Sequence, residues 1–292
     1  MRTVPIDVTL VAVLRRDRAV VIGALLAVIT LSWAYVLAGA GMSMSALEMT
    51  HMSQQLGMAG NVSEGGTACM AMIRPAVWTP GYAVLMFFMW WVMMVAMMLP
   101  SAAPMILLFA TVNRQQSGTG HPYVATSIFA FGYLAAWAGF SLVAVVLQWE
   151  FERTGILSPM LVATNAIFGG LLLLAAGVYQ LTSIKHACLR HCRSPLAFLS
   201  THWRRGAHGA LRMGLLHGVF CVGCCWFLMG LMFFGGVMNL YWIAGLALFV
   251  LIEKTVPAGH WLDFATGIVL FVWGAGMLAL GFVGRTGVTP PF

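Results

Sequence analysis

Charge is what this sequence has least of. Only 8% of its 292 residues are charged, 15 basic and 8 acidic, where ordinary soluble domains carry about 25%. With 61% hydrophobic residues and a mean hydropathy of +0.91, a single water-soluble globule is excluded. Nucleotide-binding loops of the G-x-x-x-x-G-K type are missing, which disfavours ATP-driven pumping by this chain alone. The six cysteines include no C-x-x-C-H, so covalent haem attachment is excluded. No internal repeat, low-complexity tract or Pro/Ser-rich linker divides the chain, and 1–292 reads as one transmembrane helical domain.

What is there is long apolar runs. A hydrocarbon core roughly 30 Å thick needs about 20 apolar residues per helix, and the ten-residue alternation of a barrel is absent. The expected fold is therefore an all-α polytopic bundle of about seven helices, or six. Their spans fall near 19–40, 81–108, 123–148, 159–183, 208–235, 237–252 and 264–284. The sixth is short and follows the fifth after little more than Met238 and Asn239, so a tight hairpin or re-entrant pair also fits. Ala38-Gly39-Ala40 resembles a cleavage site, but the apolar run before it is too long for a signal peptide, and it is read as an uncleaved first helix.

Arginine and lysine set the orientation. Arg2, Arg15, Arg16, Arg18, Arg114, Lys185, Arg190, Arg193, Arg204, Arg205 and Lys254 fall on one side, against Arg74, Arg153 and Arg285 on the other. By the positive-inside rule the N-terminus is cytoplasmic, the 41–80 loop external, and the 184–207 loop cytoplasmic and basic. The expected location is a membrane crossed several times, and the net charge of +7 reports topology, with the bilayer and not nucleic acid as partner. Trp78, Tyr82, Tyr241 and Trp242 lie near the expected interfaces.

The external loop is rich in methionine. It holds Met42, Met44, Met49, His51, Met52, Met58, Cys69, Met70 and Met72. Thioether and thiolate donors select soft Cu(I), although methionines also pack against apolar surfaces. In the second span Met86, Met89, Met93 and Met97 follow helical spacing, with Met94, Met98 and Met105 on another side. Pro100 and Pro104 are expected to bend or break its cytoplasmic end.

The stretch LLHGVFCVGCCWF places His217, Cys221, Cys224 and Cys225 within nine residues. If this helix enters near His208, His217 lies about 13 Å and the cysteines about 20–25 Å into the membrane. Met89 and Met93 reach similar levels if the two helices are neighbours. Three- and four-residue spacing lets imidazole and thiols share a side, but a row of four-residue steps drifts about 40° per step, so at most three or four donors serve one site. Disulfide pairing is disfavoured by geometry and inert packing of thiols stays open, while an intramembrane histidine argues for a purpose.

A third constellation is Lys185, His186, Cys188, His191 and Cys192. If the fourth helix continues, Cys188 and Cys192 are four apart with His191 beside them, a partial site for a soft ion, or reduced thiols in a basic patch. Glu253 and Lys254 end the run Trp242–Ile252. Glu253 is expected to pair with Lys254 or with an arginine of another helix, or to help carry protons or cations, and Lys254 to snorkel to the interface.

The segments WWVMMVAMMLPSAAPM, GVYQLTSIKHACLRHCRSPL, LLHGVFCVGCCWFLM and LIEKTVPAGHW resemble those of a family of bacterial integral membrane proteins described as predicted metal-binding. The resemblance covers most of 80–280. It implies Met93, Met97, Met98, Pro100, Cys188, Cys192, His217, Cys221, Cys224, Glu253 and Lys254 as signature positions and assigns no reaction. Three functions follow as expectations. The first is Cu(I) binding, transfer or transport, with a periplasmic metal-delivery protein or other membrane subunits as partners. The second is a membrane redox subunit carrying copper or haem, with His217 as an axial ligand. The third is a structural or assembly subunit whose cysteines only pack.

Overall fold

A computed structural model describes residues 8–42, 44–59, 77–116, 122–158, 161–256 and 261–286. They form α1 (Val8–Leu37), α2 (Ala46–Ala59), α3 (Pro80–Gln116), α4 (Pro122–Arg153), α5 (Ala166–Gln180), α6 (Ser183–Arg193), α7 (Pro195–His202), α8 (Gly206–Gly230), α9 (Met232–Gly235), α10 (Leu240–Thr255) and α11 (Trp261–Thr286). Among the described residues the only β pairing is an isolated bridge between Leu157 and Ala163. The all-helical expectation holds.

Five segments are long and apolar enough to cross a bilayer: Arg18–Leu37, Pro80–Gln115, Val124–Arg153, Gly206–Gly235 and Trp261–Phe282. A sixth is the pair α5 and α6, which meets at a 64° bend. The run expected at 237–252 is also helical, but α10 has 16 residues, about 24 Å of helix. It follows the hairpin that the sequence suggested. Gly236 adopts φ +95° after α9, and the Asn239 carboxamide caps α10 by accepting from the Tyr241 and Trp242 amides.

Local chemistry explains the bend after α5. Thr182 ends one helix and starts the next: its hydroxyl donates to the Tyr179 carbonyl and accepts from the Lys185 amide. A threonine N-cap of this kind satisfies an orphan amide that would otherwise be buried. The expected continuous helix through Cys188 is therefore two helices. At the prolines the expected break does not occur: α3 runs as one helix through Pro100 and Pro104. Close by, the Met98 carbonyl accepts from the Ser101 and Tyr133 hydroxyls.

Glycine sets the helix spacing. A Cβ on Gly214 of α8 would lie 2.0 Å from the Phe129 carbonyl oxygen of α4, and one on Gly132 would lie 2.5 Å from the Leu211 carbonyl oxygen. The two backbones are thus in direct contact, as small residues permit where helices associate in apolar surroundings. The same device joins α5 to α11, where a Cβ on Gly274 would stand 2.8 Å from the Gly170 carbonyl oxygen. Meanwhile α3 packs on α1 and α4, α6 on α8, and α10 on α3. This brings α3, α4, α6, α8 and α10 around one sulfur-rich interior.

The segment expected as an external loop contains α2. Ser45 and Glu48 open it with a reciprocal capping box: the carboxylate accepts from the Ser45 amide and hydroxyl, both at 2.8 Å, and the Glu48 amide donates to the Ser45 hydroxyl at 3.3 Å. The bond from the Ser45 amide, then that from its hydroxyl, holds the Glu48 carboxyl below its ordinary range.

Candidate metal centre

Cys221 is the hub. It is buried on α8, and its Sγ accepts from the Lys254 ammonium of α10 at 2.9 Å and lies 3.1 Å from the Tyr133 hydroxyl of α4. Tyr133 also donates to the Met98 carbonyl at 3.2 Å, and Lys254 donates to the Ser101 hydroxyl at 3.2 Å. Four helices thereby converge on one sulfur. Cys224 and Cys225 point their thiols back to the Cys221 carbonyl at 3.1 and 3.0 Å, a local side-chain to backbone bond that a thiol makes as a donor. The Cys225 sulfur is also 3.9 Å from the Met98 thioether.

The bend at Thr182 has a direct consequence for this cluster. It lays α6 along α8, so that the Cys192 thiol comes within interaction range of Cys221 and Cys224. Cys188 stands against Gly223, where an added Cβ would be 2.9 Å from its sulfur. Two constellations that the sequence separates, one within the membrane and one cytoplasmic, are one cluster in space. The five described cysteines are free thiols. Among the described residues no three His, Cys, Asp or Glu side chains are disposed around a common metal position.

The histidines sit beside the sulfurs. His217 is buried and packs against Phe198, Tyr133 and Phe129 with ring centroids 5.3, 5.8 and 6.3 Å away. Its Nδ1 has no hydrogen-bond partner. His191 stacks on Phe220 at 4.1 Å, and its Nδ1 lies 2.9 Å from the Ala187 carbonyl oxygen. Haem gains no support here, because the rings beside His217 are at direct packing distance.

Of the methionine stripe, Met86, Met89, Met93, Met94, Met97, Met98 and Met105 are all buried. Met98 brings its thioether to within 3.9 Å of the Cys225 sulfur. The helices are neighbours through α4, and their levels match about two turns further along α3 than expected. Met86 instead accepts from the Gln148 carboxamide at 3.4 Å. In the 41–80 segment Met42 and Met49 pack against the core, Met44 and Met52 are partly buried, and His51 is exposed on α2. Cys69, Met70, Met72 and His260 lie outside the described residues, as does the side chain of Met58.

Lys254 corrects the snorkelling expectation. It is 8% exposed and turns inward because Cys221 and Ser101 offer acceptors that a bare apolar wall would not. Its neighbour Glu253 meets a lysine of another helix at its carboxylate and an arginine at its backbone carbonyl. Its carboxylate takes the Lys185 ammonium, which also reaches Gln180, while its backbone carbonyl accepts from Arg193 Nε at 2.8 Å. Asp263 lies 3.5 Å from Lys185, 3.4 Å from His186 and 3.9 Å from Arg193. Lys185, Glu253 and Asp263 are all fully buried. Sequence reasoning did not single out Tyr133, Ser101, Gln180 or Asp263, and it placed Lys185 in a basic patch. The available signal was the scarcity of acidic residues, which makes an Asp opening the apolar run of α11 a functional candidate.

No curated protein and no solved structure matches the chain. A family model described as PpoB2, copper chaperone, matches residues 87–277. That range includes every sulfur and charge of these two clusters and leaves out the methionine-rich 41–80 segment. The chain belongs to this copper chaperone family.

Proposed function

We propose that the chain is an integral protein of a bacterial inner membrane that binds Cu(I) at the buried sulfur cluster and passes it to a partner. The observation that carries this reading is Cys221, a buried sulfur held by a lysine and a tyrosine and faced across α6 and α8 by Cys192. Thiolate and thioether are the donors that select Cu(I) over harder ions, and a d¹⁰ monovalent ion is content with two or three of them. Cys221 and Cys192 would hold the ion, with Cys224, Cys225 and Met98 as the next donors within reach.

The five apolar segments fit a bilayer, and the location of the cluster between them explains why soft, weakly hydrated donors are used. The methionines of 41–80 would collect Cu(I) outside, with a periplasmic delivery protein as the expected partner. The chain's own residues have separate tasks. Tyr133 and Lys254 orient Cys221, the Cys221 carbonyl holds the Cys224 and Cys225 side chains in place, and the aromatic group around His217 excludes water.

Anaerobic competition between detergent-purified protein and a chromophoric Cu(I) chelator tests this. The wild type is expected to retain about one equivalent of Cu(I). Cys221→Ser and Cys192→Ser should each weaken binding by more than the roughly 10–100-fold typical of losing a supporting partner. Equal retention by wild type and both variants would remove the cluster as the site, and no retention by any would leave its cysteines as packing.

A further inference from the structure

We propose that Lys254 fixes the valence of the metal that the sulfur cluster accepts. This rests on the Cu(I) reading above and adds a reason for its selectivity that ligand softness alone does not give. A buried ammonium must be balanced, and the partners of Lys254 are a thiol sulfur and a hydroxyl. The nearby carboxylates are committed elsewhere. Glu253, one residue away, projects about 100° around the helix to Lys185, and Asp263 lies among Lys185, His186 and Arg193.

The charges of that second cluster pair with one another. Lys185 and Arg193 carry two positive charges and Glu253 and Asp263 two negative ones, with His186 22% exposed at its edge. Among the described residues Lys254 is therefore the cation left facing the thiols. The other groups around it are Tyr133, Ser101, the side chains of Cys192, Cys224 and Cys225, and the His217 ring.

The charges then decide. Two thiolates bring two negative charges, and Lys254 brings one positive. A monovalent ion completes the sum to zero. A divalent ion leaves one net positive charge in surroundings of low dielectric, where an unbalanced charge is strongly disfavoured. Each coordinating thiol gives up its proton to solvent as its sulfur–metal bond forms, so no oxidant or reductant is needed. Affinity order alone would favour Cu(II) and Zn(II) at many sites; a fixed ammonium opposes both.

The test uses the full chain in detergent, with Ag(I) as a redox-inert monovalent probe and Cd(II) as a soft divalent one. Their relative affinities are read by competition for wild type, Lys254→Met, Lys254→Gln and Lys254→Arg, with Cys221→Ser as the site control. Wild type should prefer Ag(I). Both neutral variants should shift the Ag(I) to Cd(II) ratio toward cadmium by on the order of 100-fold, as removal of a unit charge next to the ion implies, and Lys254→Arg should restore the wild-type ratio. Using two neutral variants guards against one that does not fold.

An unchanged ratio in the neutral variants, with binding still lost in Cys221→Ser, would overturn the valence proposal and leave the copper site standing. Wild type that binds neither ion through Cys221 would overturn both.

Discussion

Two adjacent residues of α10 enter two buried clusters of opposite design. Glu253 joins a set of charges that sums to zero, whereas Lys254 enters a set of sulfurs and hydroxyls with no carboxylate among its hydrogen-bond partners. Both lie within the same packed interior and both remove ions from water, yet the first is complete and the second is one charge short of what two metal-binding thiolates would supply. The difference separates a structural fastening, which joins α5, α6, α10 and α11, from the site proposed to take up an ion. It also shows why charge counting across a region says more than the presence of a buried lysine.

The largest expected effect comes from breaking the complete cluster. Replacing Lys185 with Met leaves Glu253 and Asp263 facing only Arg193 and His186, and loss of one partner of a buried pair removes about 3–5 kcal/mol of stability. Removing both halves, as in Lys185→Met with Glu253→Leu, leaves Asp263 with Arg193 and restores neutrality. Thermal unfolding in detergent should therefore show the single variant much less stable than wild type and the double variant recovering at least half of the loss. A double variant as unstable as the single would mean that the cluster is not closed on itself.

Next in size is the contact that brings α4 to α8. The Cβ of Gly214→Ala would meet the Phe129 carbonyl oxygen at 2.0 Å, and backbone cannot rotate away. Overpacking of this kind removes about 1–3 kcal/mol, and because α4 carries Tyr133 and α8 carries Cys221, Cu(I) retention should fall with stability. At Gly223 the obstacle is the end of a side chain, the Cys188 sulfur at 2.9 Å, so Gly223→Ala should be the milder change. Equal damage from both would show that α6 is held against α8 as rigidly as α4 is.

Much of this was legible in the sequence. The lack of charge and the long apolar runs predict the helices, and the His/Cys spacing picks out Cys221, Cys224 and Cys225. The burial of the methionines on α3 follows from their periodicity. What the sequence hid is three-dimensional. Thr182 is an ordinary cap signal, yet only the 64° bend carries Cys192 to Cys221 and makes two constellations one. Helix register sends Glu253 and Lys254 in different directions, and no local pattern tells which of two neighbours faces which cluster. Tyr133 sits in an apolar run where a tyrosine reads as packing, and its hydroxyl acquires a role only through Cys221 and Met98. The 41–80 segment shows the converse: its methionine richness draws attention, while Met42 and Met49 pack.

The smallest expected effect separates hydrogen bonding from charge at the site itself. Tyr133 and Lys254 both reach the Cys221 sulfur, at 3.1 and 2.9 Å, but only one carries a charge. Tyr133→Phe removes a hydroxyl that also serves the Met98 carbonyl, and losing one neutral hydrogen bond lowers stability by about 0.5–1.5 kcal/mol. If the sulfur cluster selects by charge, this variant should bind both Ag(I) and Cd(II) somewhat more weakly and leave their ratio as in wild type. Equilibrium competition on Tyr133→Phe beside Lys254→Gln reads this directly. A ratio that moves as far in the tyrosine variant as in the lysine variant would mean that the orientation of Cys221, and not the ammonium, governs which ion the cluster prefers.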